Sequence, residues 1–258
     1  MARSTYYYCL KQSAQPNKYI ELETEINQIY HKHKGRYGYR RITLAIRQQG
    51  LLVNHKTVLR IMRLKGLKSL VRIKKYKSYK GVQGKVARNL LKRNFFASKP
   101  NQKWVTDVTE FKVSGKKLYL SPIMDLYNGE IISYNLSGQP SSKQTIEMLT
   151  GAVKLLPSKH KLILHSDQGW QYQMQAWQLM LRSNKIRQSM SRKGNCLDNA
   201  VMENFFSIIK SELYYLHKFT SIEVLRKEII EYIDYYNNQR IKLKLNGLSP
   251  VQYRTQAA

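Results

Sequence analysis

The sequence predicts a small all-α unit followed by a larger α/β unit built on a mixed five-stranded sheet with helices. Three observations carry this. In the first 70 residues apolar side chains recur at helical spacing, as Ile42, Ala45 and Ile46 and again as Val58, Ile61 and Met62. Beyond residue 100 short strand-like runs alternate with helical stripes, the mark of an α/β layer architecture. Between them, lysines and glycines displace any apolar period. The expected organisation is a helical unit over 1–70, a basic linker over 71–100 and an α/β unit with a closing helix over 101–258.

The 258 residues carry 45 Lys and Arg against 16 Asp and Glu, a net charge of +29. With 42% hydrophobic and 11% aromatic residues the chain can bury a core, which excludes a disordered basic tail. No apolar run approaches the length of a membrane span, and 1–10 lack a secretory pattern. Cys9 and Cys196 cannot make a disulfide framework or a cysteine-rich zinc site, so a cytoplasmic protein with reduced thiols is expected. The charge is uneven: residues 1–100 are net +21 and the rest net +8. No acid occurs from Ile26 through Thr106, a stretch with 22 Lys and Arg. Such a stretch repels itself unless a polyanion neutralises it, so the expected partner is nucleic acid.

Residues 21–32 read as a polar helix with Ile20, Ile26, Ile29 and Tyr30 as its apolar positions. The run Gly35-Arg36-Tyr37-Gly38-Tyr39 breaks it, and a helix over 41–49 ends at Gly50. Asn54 is placed to cap a helix over 55–65 whose outer face shows His55, Lys56, Arg60 and Arg63. The pair reads as a helix-turn-helix, with Lys56, Arg60 and Arg63 as its DNA contacts. The linker tracks phosphate, with one short helix over 89–96. Strands follow over 104–113 and 117–126, the second interrupted by Pro122, which predicts a bulge or an edge position. Asn128-Gly129 turns into a third strand over 130–136. Ser141 or Ser142 caps a helix with Ile146, Leu149, Val153 and Leu156 on one stripe, stopped by Pro157. A strand over 161–165, a helix over 176–184, a strand over 185–188, a polar loop over 191–197 and a helix over 198–215 complete the unit. The last helix has a Thr220-x-x-Glu223 capping box and Leu225, Ile229, Ile233 and Tyr236 on its stripe.

In so basic a chain the positions of the acids matter. Asp107 falls inside an apolar strand and Asp167 ends another, placements that cost stability unless a cation balances them. Glu203 lies on the 198–215 helix, where helical spacing puts Asn199, Glu203 and Lys210 on one face. Three carboxylates converging on one sheet edge make an oxygen-only site for hard divalent ions, here two Mg²⁺ (or Mn²⁺) serving phosphoryl transfer.

The segments Trp104-Val105-Thr106-Asp107-Val108-Thr109-Glu110-Phe111, His165-Ser166-Asp167-Gln168-Gly169 and Asp198-Asn199-Ala200-Val201-Met202-Glu203-Asn204-Phe205-Phe206 resemble those of integrase-core (DDE) transposases. The resemblance is to the second-reading-frame products of bacterial insertion sequences, relatives of retroviral integrases. Asp167 and Glu203 are separated by 35 residues and Lys210 follows the glutamate by seven, as in that family. Tyr236-Asn237-Asn238-Gln239-Arg240 with Leu248-Ser249-Pro250 resembles its closing signature, and Tyr37-Gly38-Tyr39-Arg40-Arg41-Ile42 its helix-turn-helix. The resemblance covers nearly the whole chain. It implies an RNase H-like catalytic core with Asp107, Asp167 and Glu203 as catalytic and metal-binding residues. It implies Mg²⁺-dependent cleavage at the element's ends and transfer of the 3′-hydroxyl into target DNA, in the bacterial nucleoid. Asn199 and Lys210 are assigned to the DNA backbone and the loop 191–197 to a mobile flap. The implied partners are terminal inverted repeats, target DNA, further copies in at least a dimer, and the upstream reading-frame product as fusion or partner. No leucine heptad precedes Arg3, so recognition of the ends by this chain alone is expected to be weak.

Asp198 is expected to cap its helix, Glu110 to point off the site, and Asp125 has no assignment. His165 reads as packing, Trp170 and Trp177 as core, and Cys196 as incidental. His31 and His33, two apart on a helix, face different ways, so no zinc site is expected. A nuclease on the same fold would stop after hydrolysis, and a repressor with a dead site would need no triad. The long acid-free arm argues against the first, and the intact acids against the second.

Overall fold

The computed structural model describes residues 2–7, 19–70 and 86–256, and the chain divides at Leu70 into two units, Met1–Leu70 and Val71–Ala258. Cys9 and the basic residues from 71 to 85 lie outside the described residues, as does the Cys196 side chain. No helix among the described residues is long and apolar enough to cross a membrane.

In the first unit α1 (Ile20–Lys32), α2 (Tyr39–Gln48) and α3 (His55–Leu64) bury Ile26, Ile29, Ile42, Ile46, Val58, Ile61 and Met62 against one another. Each such side chain contributes about 1.5–3 kcal/mol by leaving water. Asn54 caps α3 as expected, its side chain accepting from the Lys56 N–H at 2.9 Å. Arg47 holds the connection from α2 to α3 by donating Nη2 to the Val53 carbonyl at 2.9 Å. Lys56, Arg60 and Arg63 remain exposed, Arg60 over the Tyr19 ring. His33 is buried flat against Tyr37, ring centres 3.7 Å apart.

The second unit centres on one mixed sheet: β1 (Lys103–Thr106), β2 (Thr109–Val113), β3 (Lys116–Asp125), β4 (Ile131–Ser137), β5 (Ile163–Ser166) and β6 (Arg187–Met190). β3 pairs antiparallel with β4 on one side and with both β1 and β2 on the other. β1 runs parallel to β5, and β5 to β6. The six strands are the expected five with the first one broken. The register is continuous across the break, so Asp107 and Val108 stand opposite Pro122 and Ser121. Proline has no N–H to give to a ladder. The Pro122 carbonyl accepts instead from the Thr106 hydroxyl at 2.9 Å. Pro122 is therefore not on an edge strand: β3 is flanked on both sides, and the register shift with β4 falls just beyond it, between Ile123 and Met124.

Among the described residues six helices complete the unit: α4 (Ser142–Val153), α5 (Trp170–Gln173), α6 (Gln175–Ser183), α7 (Ala200–Ile209), α8 (Ile222–Asn238) and α9 (Pro250–Gln256). α4 and α6 cover one face of the sheet through Met148, Leu149, Trp177 and Leu181, over Trp104, Ile123 and Leu164. α7 and α8 cover the other through Phe205, Ile209, Ile229 and Tyr236, over Val105, Phe111 and Leu120. Ser141 caps α4, accepting from the Gln144 N–H. The cap of α8 is Ser221 rather than Thr220: the Ser221 side chain accepts from the Val224 N–H at 3.3 Å. The expected 198–215 helix is three pieces, a 3₁₀ turn Cys196–Asn199, then α7, then a π turn Lys210–Tyr214 closed by Tyr215 N–H to the Lys210 carbonyl at 2.8 Å.

The described part of the expected linker is neither free nor helical. Residues 86–100 lie along the second unit with Leu91 buried in its core. Lys103 fastens the segment by donating Nζ to the Asn94 and Phe96 carbonyls at 2.8 and 2.7 Å.

Candidate active site

Asp107 sits at the break between β1 and β2, where the strand stops contributing to the ladder. One carboxylate oxygen accepts from its neighbour's N–H, Val108, at 2.7 Å. The other accepts from Asn199 Nδ2 at 3.2 Å. β1 and β5 are parallel with Val105 level with His165, so Asp107 and Asp167 leave adjacent strands at the same height. Asp167 Oδ1 accepts from the Gly169 N–H at 2.8 Å. A Cβ at 169 would stand 2.9 Å from that oxygen and 2.5 Å from Gln171 Nε2, so a side chain there would push the Gln171 amide and the carboxylate aside. Glu203 lies in the first half of α7, half-buried, while Met202, Phe205 and Phe206 seat that helix on the core.

The Asp107 carboxyl is pushed well above the usual carboxylate range by burial and by the charges of Asp167 and Glu203, with Asp167 the stronger of the two. Hydrogen bonds from Val108 and Asn199 oppose this only in part. Burial also raises Asp167, and burial beside Asp107 and Asp167 raises the Tyr172 phenol, which lies 3.3 Å from the Thr106 hydroxyl. Like charges held together in a buried place call for a cation. As the side chains stand, no three His, Cys, Asp or Glu among the described residues are gathered closely enough to hold a metal ion. The donor set nevertheless fits a hard divalent cation: it is all oxygen, Asp107 and Asp167 are side by side, and Glu203 is near enough to be felt. Asn199 adds a buried Oδ1 that has no hydrogen-bond partner among the described residues.

The other expected site residues divide. Asn199 does not share an exposed face with Glu203 and Lys210; it is buried in the 3₁₀ turn with its amide on Asp107. Lys210 starts the π turn, half-buried, with its ammonium 5.4 Å from the centre of the Phe111 ring. Lys56, Arg60 and Arg63 stand together on the outer face of α3 in the first unit. Glu110 is off the carboxylate group: burial would raise it, but bonds from Lys117 and Tyr119 hold it below its usual range. Asp125, unassigned from sequence, is a buried tie that accepts from the Asn101 and Tyr127 N–H groups and pairs with Arg254 of α9. Trp177 is core as expected, whereas Trp170 is exposed at the start of α5.

Asp198 caps no helix. Its carboxylate, without exposed surface, receives Arg192 through N, Nε and Nη2, Arg93 through Nε and Asn89 through Nδ2. The guanidinium of Arg192 holds its carboxyl far below the usual range. The loop 191–197 is thereby pinned rather than free, with Arg93 also on Asn195 and Gln168 on the Ser191 carbonyl. His165 is more than packing. Its Nε2 is 2.9 Å from the Asp198 carbonyl, which can only accept, so Nε2 carries the proton and Nδ1 accepts from the Ser189 hydroxyl at 2.8 Å. Burial lowers the imidazole, consistent with this neutral form. Ser189 Oγ in turn accepts from the Leu90 N–H, joining the 86–100 segment to β6, β5 and the turn before α7.

Sequence reasoning missed the Glu212–Arg240 pair. Both side chains are 4% exposed, and Arg240 meets Glu212 with Nη2 and Nε at 2.6 and 2.9 Å while the Tyr232 hydroxyl donates at 2.8 Å. The available signal was an acid between apolar residues on a helix, the same kind of placement that singled out Asp107.

Comparison with known proteins agrees with this fold. An integrase core domain model matches residues 97–196, a second one matches 203–257, and an HTH-like domain model matches 18–75. The chain is 52% identical over 254 residues to the putative transposase InsK for insertion sequence element IS150 of Escherichia coli K12, covering 98% of this chain and 90% of that one. It is 54% identical over 216 residues to a transposase-like protein of Haemophilus influenzae, covering 84% of this chain and 99% of that one. Among solved structures, the HTLV-2 integrase catalytic core domain in complex with magnesium (trimeric form) matches with a TM-score of 0.50 at 24% identity, covering 65% of this chain and 99% of that one. That likeness is one of fold.

Proposed function

The chain belongs to the integrase-core transposases of insertion sequences, and from that premise we propose that Asp107, Asp167 and Glu203 are its catalytic carboxylates. The reaction is cleavage of DNA at the element's ends followed by strand transfer. Water breaks a phosphodiester at the end and leaves a 3′-hydroxyl. That hydroxyl then attacks a target phosphorus, expelling the target's own 3′-oxygen.

The observation that carries the assignment is that parallel β1 and β5 set Asp107 beside Asp167, with Glu203 of α7 near enough to help raise the buried Asp107 carboxyl. The three would hold two Mg²⁺ (or Mn²⁺) ions, which when bound supply Lewis acidity to the phosphoryl group and neutralise its developing charge. The protein's own contribution is to fix the ligands. Val108 and Asn199 hold the Asp107 oxygens, and Gly169 holds Asp167 through its N–H. Lys210 is assigned to the DNA backbone near the site. Asn199, being buried, is better read as positioning Asp107 than as touching DNA. Lys56, Arg60 and Arg63 on α3 would dock the first unit, residues 1–70, on a DNA groove, leaving 86–256 as the catalytic unit. The partners are then the terminal repeats and target DNA, with at least two copies needed to pair two ends, and the nucleoid is the place of action. The upstream reading-frame product is proposed as fusion or partner.

The test is a plasmid carrying the gene with its flanks, assayed for Mg²⁺-dependent excised circles or joined strands beside Asp107→Asn and Glu203→Gln. Joined products from the wild type alone support the triad. Joined products that survive either substitution remove that residue from it.

A further inference from the structure

Beside Asp107, a cleft of about 150 Å³ opens to solvent. Val108 and Glu110 form one wall, Pro140 and Gln144 at the start of α4 another, and Trp170, three residues past Asp167, a third. Trp170 is 51% exposed, while Trp104 and Trp177 are 0% and 1% exposed. A large indole left half in water at the lip of a cleft is a surface for something flat.

The chemistry of the lining narrows what that is. In a chain of net charge +29, the residues around this cleft include one acid, Glu110, and no Lys or Arg. The Glu110 charge is already answered from outside by Lys117 at 2.9 Å and Lys112 at 3.4 Å. A phosphate would find no Lys or Arg in the lining, and Lys117 and Lys112 beside it are engaged by Glu110. An uncharged aromatic ring would find Trp170 to stack on and apolar edges from Val108 and Pro140.

We infer that this cleft is a nucleobase-binding subsite. A base of the DNA whose phosphate lies at Asp107 and Asp167 leaves its stack and lies on the Trp170 ring. The inference rests on the transposase reading, since it needs DNA at the carboxylates. The base comes either from the element's end or from the target strand; both present the same aromatic face.

Trp170 is the one exposed tryptophan of the three, so its fluorescence isolates the contact. In the full chain carrying Asp107→Asn, which blocks turnover, an end duplex or a target duplex should quench the emission component that acrylamide also reaches. Trp170→Phe should remove that quenching. Anisotropy of a labelled duplex reports DNA binding separately. Abasic substitution base by base should abolish the quenching at one position, and the duplex in which it does so identifies the source. With Asp107 intact, Trp170→Ala should lower strand transfer by about tenfold or more, and Trp170→Phe should recover most of it. Bound duplex with undiminished Trp170 emission, or quenching indifferent to every abasic position, overturns the subsite and leaves the transposase reading standing. No duplex binding at all, even with the upstream reading-frame product supplied, overturns the DNA assignment and the subsite with it.

Discussion

Arg192 holds Asp198 through its own N–H at 3.0 Å and through Nε and Nη2 at 2.9 Å each, on a carboxylate with no exposed surface. Charge-assisted, bidentate pairs of this kind are the stronger hydrogen bonds in proteins. Arg93 and Asn89 reach the same carboxylate from the other end of the unit. One acid thus ties the 86–100 segment and the loop 191–197 to the turn that launches α7, and α7 carries Glu203. Replacing Asp198 with Asn keeps the shape and removes the charge. Because both arginines are about half exposed, the expected loss is about 1–2 kcal/mol in urea denaturation and roughly tenfold in strand transfer. Because its folded pKa lies below its unfolded one, the charge contributes fully above about pH 4 and is lost only as pH falls through the folded value. Stability of the wild type should therefore show no contribution from Asp198 titration between about pH 5 and 8.

Asn199 is expected to act on the metal ligands rather than on DNA. Its amide fixes one Asp107 oxygen, and residues that orient ligands commonly change metal affinity by about 10–100-fold when removed. Asn199→Ala should raise the Mg²⁺ concentration for half-maximal strand transfer by that factor, with duplex affinity measured by anisotropy unchanged. A weaker duplex affinity at unchanged Mg²⁺ dependence would return Asn199 to the DNA backbone.

Asp107 itself should show opposite effects on stability and activity. Its pKa is raised in the folded, metal-free protein, so ionising it costs stability that is recovered as pH falls through the folded value. Asp107→Asn removes that cost, and the metal-free protein should gain roughly 1 kcal/mol at neutral pH while strand transfer is lost. Mg²⁺ should raise the melting temperature of the wild type and leave that of the variant unmoved. A variant less stable than wild type without metal would contradict the charge argument.

The parts of this molecule readable from sequence are those where cause and consequence lie close together in the chain. Asn54 and the Val58, Ile61 and Met62 stripe define α3 locally, and so they were legible. Asp107 and Asp167 stood out because acids are rare here and these two interrupt or end apolar strands. The break at Asp107 was not legible, because it depends on Pro122 across the ladder. Asp198 looked like a helix cap because a cap needs only local residues, whereas one of its real partners, Arg93, lies 105 positions away. Trp170 looked like core because nothing in its neighbourhood distinguishes it from Trp177; only the packing of α4 and α5 leaves the first exposed.

The buried Glu212–Arg240 pair makes a stability prediction of its own. Both charges have left water, and each depends on the other. Arg240→Met would leave the Glu212 carboxylate buried without its cation, a change expected to cost about 3–5 kcal/mol. Replacing both, as Glu212→Leu with Arg240→Met, should recover most of that loss, since paired desolvation costs disappear together. Denaturant midpoints of the two singles and the double measure the coupling directly.

His33 gives the first unit a pH dependence. Burial, then Lys32, Arg36 and Arg41, lower its pKa to about 4 from 6.5, so it folds neutral. Between those values the unfolded chain binds the proton and the folded one does not, so stability falls as pH drops from about 6.5 towards 4, by up to roughly 3 kcal/mol. An imidazole titration by NMR should find His33 well below the ordinary value of 6.5, and His33→Gln should flatten the slope of stability against pH in that window.

The last prediction concerns α3. Each lysine or arginine that neutralises a phosphate releases a counterion, and the logarithm of affinity falls with the logarithm of salt by about 0.9 per contact. Lys56, Arg60 and Arg63 lie on the exposed face of one helix, so Lys56→Ala, Arg60→Ala and Arg63→Ala should each lower the steepness of that line by about 1 if they touch phosphate. A residue that reads a base edge behaves differently, costing affinity for the element's end far more than for unrelated duplex. Anisotropy titrations on both duplexes across a salt series separate the two roles. An unchanged line for all three variants would mean that α3 does not face the DNA, and the charge of the acid-free stretch that begins at Ile26 would then have to be answered through another surface.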